Sequence, residues 1–142
     1  MPQYLPPLPP FNDVTAQSKI RQEEDALNTS QLPRAKPAYA VGTHWHITTS
    51  RWSRQRLYRL MMELEHADGA KIAVRYAYEW RDGEGGWVRS VGTEHWTFNE
   101  FGVMTHRHVR NHDTHITQDQ RKFRWPLGAR PANHPRLAEL GL

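Results

Sequence analysis

Two carboxylates and a guanidinium, Glu79, Glu94 and Arg75, have the spacing in this sequence that suits proton transfer. In "KIAVRYAYEW" (residues 71–80), strict alternation puts Ile72, Val74, Tyr76, Tyr78 and Trp80 on one side of a strand. Lys71, Ala73, Arg75, Ala77 and Glu79 fall on the other. Charges set between alanines imply either open water or a close cover that encloses them. A four-residue loop after Arg81 would set Ala77 opposite Ser90, and Glu79, Arg75 and Ala73 against Val88, Gly92 and Glu94. That pairing predicts a small, charged face of Ala73, Ala77, Ser90 and Gly92 that also carries Arg75, Glu79, Glu94 and Trp96. With helices above it, this face would line a pocket.

An enclosed carboxylate either pairs or shifts its pKa. On one reading Glu79 or Glu94 is a general base or acid, with Arg75 or Tyr58 stabilising charge. Trp96, Ser90 and Trp45 would meet the ligand. The plainer reading is a salt bridge that braces the sheet. Histidines form i, i+2 pairs, His44 with His46 and His106 with His108, and "HDTH" adds His112 and His115. They lack the spacing of a metal site, so the expectation is no metal and no cofactor. A surface loop is expected for His112-Asp113.

The elements that must position these groups are readable. Phe11, Asn12 and Asp13 resemble a capped helix start, and Ala16, Ile20 and Leu27 share one stripe with Glu23 or Glu24 at its edge. "QLPRAKPAYAVG" is a poor second helix because of Pro37. Tyr58, Leu60, Met62 and Leu64 alternate with Arg59, Met61, Glu63 and Glu65, and Asp68-Gly69 precedes Lys71, so a hairpin is predicted. "RDGEGG" and "NEFG" mark two further turns, giving four antiparallel strands that end with residues 103–111. The predicted class is α+β, helices packed on a curved antiparallel sheet. Residues 1–12 form a Pro-rich extended arm, 13–117 the domain, and 118–142 a tail that packs on it.

The chain has 142 residues, no cysteine and a formal charge of +4. One core is expected, without disulfides or thiol chemistry. No apolar run is long enough to span a membrane, and "MPQYLPPLPPF" has no basic region or apolar core of a signal peptide, so a cytoplasmic protein is expected. Arg51, Arg54, Arg56 and Arg59 cluster around Trp52, but no nucleic-acid-binding motif accompanies them, and no nucleic-acid partner is expected.

The segments "KIAVRYAYEW", "WVRSVGTEHWTF" and "RKFRWPLGARPANHPRLAELGL", with "PPLPPF" and "KIRQEEDALN", resemble a SnoaL-like family of unknown function in the nuclear transport factor 2-like superfamily. The resemblance implies a cone-shaped α+β fold: a strongly bent sheet around helices, a pocket at its open end, and a homodimer through the sheet. The superfamily holds cofactor-independent isomerases, dehydratases, cyclases and hydrolases as well as non-catalytic binders. A pocket for an unknown small hydrophobic ligand is expected, with acid–base catalysis as the alternative. The sequence departs from the family pattern in a shortened stretch between "HWHI" and "SRW", and in Thr93 and His95. These departures put in doubt any role carried over to Arg75, Glu79 or Glu94.

Overall fold

A computed structural model of the chain describes residues 4–29 and 56–142. Trp45, the His44–His46 pair and the weak second helix lie outside the described residues. Helix α1 (Asp13–Asn28) is followed by strands β1 (Arg56–Asp68), β2 (Lys71–Arg81), β3 (Trp87–Phe98) and β4 (Met104–Ile116). The strands form one antiparallel sheet in the order β1-β2-β3-β4. The class is α+β: among the described residues, one α-helix packs against an open four-stranded sheet.

α1 starts where its sequence stops its backbone donors from going unsatisfied. Asn12 Oδ1 accepts from Thr15 N at 2.8 Å, and Asn12 N donates to Thr15 Oγ1 at 2.9 Å, a reciprocal cap. The buried Phe11 just before it stacks edge-on against Phe98, with centroids 5.0 Å apart. Asn12→Ala removes the cap and is expected to lower stability by about 1 kcal/mol in a urea titration.

The inward stripe Ala16, Ile20 and Leu27 packs on Leu60, Met62, Ile72, Val74, Tyr76, Tyr78, Trp96 and Phe98. α1 also closes the free edge of β1. Asn28 accepts from Leu60 N at 2.7 Å and donates to Leu60 O at 2.9 Å, and Glu24 Oε2 accepts from Met62 N at 2.7 Å. An edge whose groups are bonded in this way offers no template for another strand.

The β1–β2 hairpin turns through Gly69 and Ala70, because Asp68 pairs with Lys71. Gly69 takes φ +58°, which glycine adopts without a Cβ penalty. The next loop is one residue longer than expected. Asp82 Oδ1 accepts from Glu84 N at 2.9 Å and Gly86 N at 2.8 Å, so five residues turn and Arg81 pairs with Trp87. β4 runs further than expected, and places His112 and Asp113 in the strand on opposite faces rather than in a loop.

That single extra residue changes every cross-strand partner. Ala77 faces Val91, Glu79 faces Arg89, Arg75 faces Thr93 and Ala73 faces His95. The expected sharing of one face by Arg75, Glu79, Glu94, Trp96 and Ser90 is corrected: a slip of one exchanges the faces of β3 relative to β2. The expected roof is corrected as well. α1 covers the bulky tyrosine face, where more apolar area can be removed from water. The C-terminal tail covers the alanine face, burying Phe123, Trp125 and Leu137 against Met61 and Ala77.

Candidate functional site

The helix-covered face brings buried ionisable groups together. Glu94 and Trp96 are two apart on β3 and so point the same way, and Trp96 pairs with Arg107 of β4. α1 brings Glu23, one turn beyond Ile20, to the same place. Arg107 Nε donates to Glu94 Oε1 at 2.5 Å, and Arg107 Nη1 donates to Glu23 Oε1 at 2.9 Å. Trp96 Nε1 donates to Glu94 Oε1 at 2.8 Å. The guanidinium lies 5.7 Å from the centre of the Trp96 ring.

One cation therefore stands between two buried carboxylates. Burial pushes the Glu94 carboxyl up to about 8; the Trp96 N–H opposes this, while the charge on Glu23 adds to it. Burial also raises Glu23, against the attraction of Arg107 and Lys19. At neutral pH the cluster keeps one more proton than two free carboxylates would, a proton that belongs to the Glu94–Glu23 pair. Both donors to Glu94 hold Oε1; among the described residues none reaches Oε2. Oε2 is also not one of the sealed, unbonded atoms.

Three tyrosines complete this face. Tyr58 and Tyr78 have ring centroids 4.8 Å apart, and Tyr76 stacks on Tyr78 at 5.8 Å. Burial, then the neighbouring rings and the charges on Glu94 and Glu23, hold the Tyr58 phenol well above its usual pKa. Tyr58 is a neutral hydrogen-bond donor here and not a phenolate. Ser90 lies further along. Its Oγ accepts from Trp80 Nε1 at 3.0 Å and bonds Asp113 Oδ1 at 2.5 Å. Asn111 Nδ2 donates to the same Asp113 oxygen at 2.6 Å, and Tyr76 Oη donates to Asn111 Oδ1 at 2.5 Å.

Of the residues expected to act together, the structure joins Glu94, Trp96, Tyr58 and Ser90 on one face. Arg75 and Glu79 are behind the sheet. Glu79 is 1% exposed and accepts from Arg89 Nε at 3.0 Å, Lys122 N at 3.0 Å and Phe123 N at 2.9 Å. Its oxygens are occupied, so it anchors the tail. Arg75 Nη2 donates to Leu142 O at 2.8 Å and has the same duty.

Sequence reasoning missed Arg107. Its position between His106 and His108 in "THRHVRN" reads as a wet strand, yet the same alternation turns Arg107 inward as the histidines turn outward. A hollow of about 600 Å³ on the outer face is lined by His66, His95, His106 and His108, with Lys71 and Asp68. Among the described residues, no three His, Asp or Glu converge as metal ligands. No helix of the described residues is long and apolar enough to cross a membrane.

The model of a family described as a protein of unknown function, DUF1348, matches residues 9–124, and the chain belongs to that family. No curated protein matches the chain.

Proposed function

We propose that this member of an unknown-function family binds a small hydrophobic molecule on the helix-covered face of its sheet. Tyr58, Tyr76 and Tyr78 form the aromatic wall, Ser90 and Trp96 flank it, and Glu94 is the ionisable group the ligand meets. The observation that carries this reading is Glu94 itself: buried beside the tyrosine face and held through one oxygen, Oε1, by Arg107 and Trp96. A pocket with few polar groups among aromatic rings suits a small apolar ligand with one hydrogen-bonding oxygen. The SnoaL-like resemblance supports the reading, because a nuclear transport factor 2-like cone would fold its sheet around the helices and hold its pocket between them. Trp45 belongs to the same proposal through its place in the sequence.

The alternative is a cofactor-independent acid–base enzyme, an isomerase, dehydratase, cyclase or hydrolase. The pairing of two carboxylates on one guanidinium favours it. Glu94 would donate its Oε2 proton to a developing oxyanion, and Arg107 would stabilise the carboxylate left behind. Glu94 thus acts as the acid where Glu79 or Glu94 was first expected as the base, and Arg107 takes the charge-stabilising role given to Arg75 or Tyr58. A cytoplasmic location and a homodimer through the sheet belong to this proposal too. The exposed outer side of β4, with His106, His108, Arg110 and His112, supports the second.

Carbon-detected NMR of the side-chain carboxyls, with Glu94→Gln to assign the resonance, tests both readings. Glu94 is expected to titrate near 8. A midpoint near the usual glutamate value ends the proton-transfer reading. Nile red, a neutral apolar probe, is expected to bind saturably to the whole chain. Tyr58→Ala is expected to weaken it about tenfold. Binding that is linear in probe, or unmoved by Tyr58→Ala, ends the pocket reading.

A further inference from the structure

A hollow of about 390 Å³ lies at the free edge of β1, where α1 and the tail meet. Ile20, Met62 and Leu64 give it an apolar wall, and Glu63, Arg130 and Arg136 bring charge to it. The charged groups have anchors of their own. Glu24 is buried, and its Oε2 accepts from Met62 N at 2.7 Å. Its Oε1 accepts from Arg130 Nε at 2.9 Å, and the main-chain oxygen of Arg130 accepts from Arg21 Nη2 at 2.8 Å. Arg130 is thus fixed at its backbone and at its guanidinium, with its side chain 16% exposed. Its Nη1 and Nη2 have no acceptor among the described residues. Glu63 is held in a similar way. Its Oε2 accepts from Leu137 N at 2.9 Å and lies 3.9 Å from Arg136 Nε, while Oε1 has no donor among the described residues.

The strand edge adds main-chain groups. Leu60 turns both its N–H and its C=O away from β2, to Asn28. By the alternation of an antiparallel ladder, Met62 and Leu64 turn theirs the same way. Met62 N is taken by Glu24, which leaves Met62 O and Leu64 N along the edge. Charge around the hollow balances. Arg21 stands 3.2 Å from Glu24 and 3.1 Å from Asp25, Arg130 pairs with Glu24, and Arg136 faces Glu63, so three guanidiniums meet three carboxylates. A ligand of net charge would leave one group unpaired in a half-buried place, whereas a zwitterion adds a cation and an anion together. The free end of the Arg130 fork matches a carboxylate. Glu63 Oε1 and Met62 O are acceptors for an ammonium, and the apolar wall takes an aliphatic chain out of water.

We infer that this hollow binds a free α-amino acid with an aliphatic side chain. The carboxylate lies on Nη1 and Nη2 of Arg130, the ammonium on Glu63 and Met62 O, and the side chain on Ile20, Met62 and Leu64. The site shares no polar group with the Glu94 cluster and stands or falls without it.

Calorimetric titration of the full chain with L-leucine tests this, beside 4-methylpentanoate and 3-methylbutylamine, which lack its ammonium and its carboxylate respectively. L-Leucine is expected to saturate, and each analogue to bind at least about tenfold more weakly. Arg130→Gln is expected to weaken L-leucine by at least about tenfold. Glu63→Gln, whose amide oxygen can still accept from Leu137 N, is expected to weaken L-leucine about tenfold and to leave 4-methylpentanoate unchanged. A loss of folding would weaken both ligands alike, so that contrast reads the site itself. Arg81→Gln, at an exposed residue bonded to Gly85 O, is expected to change neither. Heat that does not saturate with L-leucine overturns the proposal, as does equal binding of L-leucine to Glu63→Gln. 4-Methylpentanoate that binds as tightly as L-leucine also overturns it, in favour of a plain carboxylate site.

Discussion

Gly92→Ala is expected to destabilise the fold by about 3 kcal/mol, the high end for forcing an extra methyl into packed structure. A Cβ built at Gly92 would lie 1.8 Å from the main-chain oxygen of Arg110 and 2.8 Å from Tyr76 Oη. Tyr76 belongs to β2, yet its phenol reaches Asn111 on β4, two strands away. It does so by crossing β3 at Gly92, the residue opposite it. The missing side chain gives the ring its path and lets β4 approach. Tyr76→Phe alone should cost about 1 kcal/mol, for the lost hydrogen bond. The double variant should recover little, because the closer obstacle is backbone and cannot rotate away. Urea midpoints of the three variants measure this. A near-neutral Gly92→Ala, or full rescue by Tyr76→Phe, would mean that β4 yields easily and that Gly92 is not what sets its path.

Local patterns in the sequence carried over to the structure where one physical signal acted alone. Asn12, with Phe11 before it and Ala16, Ile20 and Leu27 after it, specifies α1 through capping and burial together. Alternation divided the two faces of β2 correctly, residue by residue. What alternation within one strand cannot carry is the relation between strands. That depends on the loop, and Asp82 decides the loop length through two side-chain bonds to main-chain N–H groups of Glu84 and Gly86. The resulting slip moved Glu94, Trp96 and Ser90 to the other side from Arg75 and Glu79. The cover was misassigned for a related reason. Small residues at Ala73 and Ala77 do admit a close neighbour, but an extended tail needs that room more than a helix does. Glu23 could be seen at the edge of the α1 stripe. Its partner Arg107 could not, since an arginine between histidines looks solvated until the opposing strand is known.

The charge cluster this hid is where the second large effect is expected. Arg107→Met should lower stability by about 3–5 kcal/mol at neutral pH, because it takes away the cation that stands between two buried carboxylates. The loss should depend on pH, and its sign follows from proton counts. In the native chain Glu94 is raised to about 8, and Glu23 and Glu24 are raised in the same direction. Between the ordinary carboxyl value and about 8 the folded state holds more protons than the unfolded, so stability falls as pH rises through that window. Lys19, lowered to about 8 by burial, acts with the opposite sign only above that value. In Arg107→Met the larger of the two attractions that lower Glu23 is gone and only that of Lys19 remains, so its carboxyl rises further and the downward slope steepens. The variant should approach the parent at acid pH, where both side chains are neutral, and diverge from it toward pH 8. Urea unfolding of both proteins across this range reads the difference directly. A penalty that stays constant with pH would assign the cost to lost packing on Trp96, and would leave Glu94 an ordinary ionised carboxylate with no proton to give.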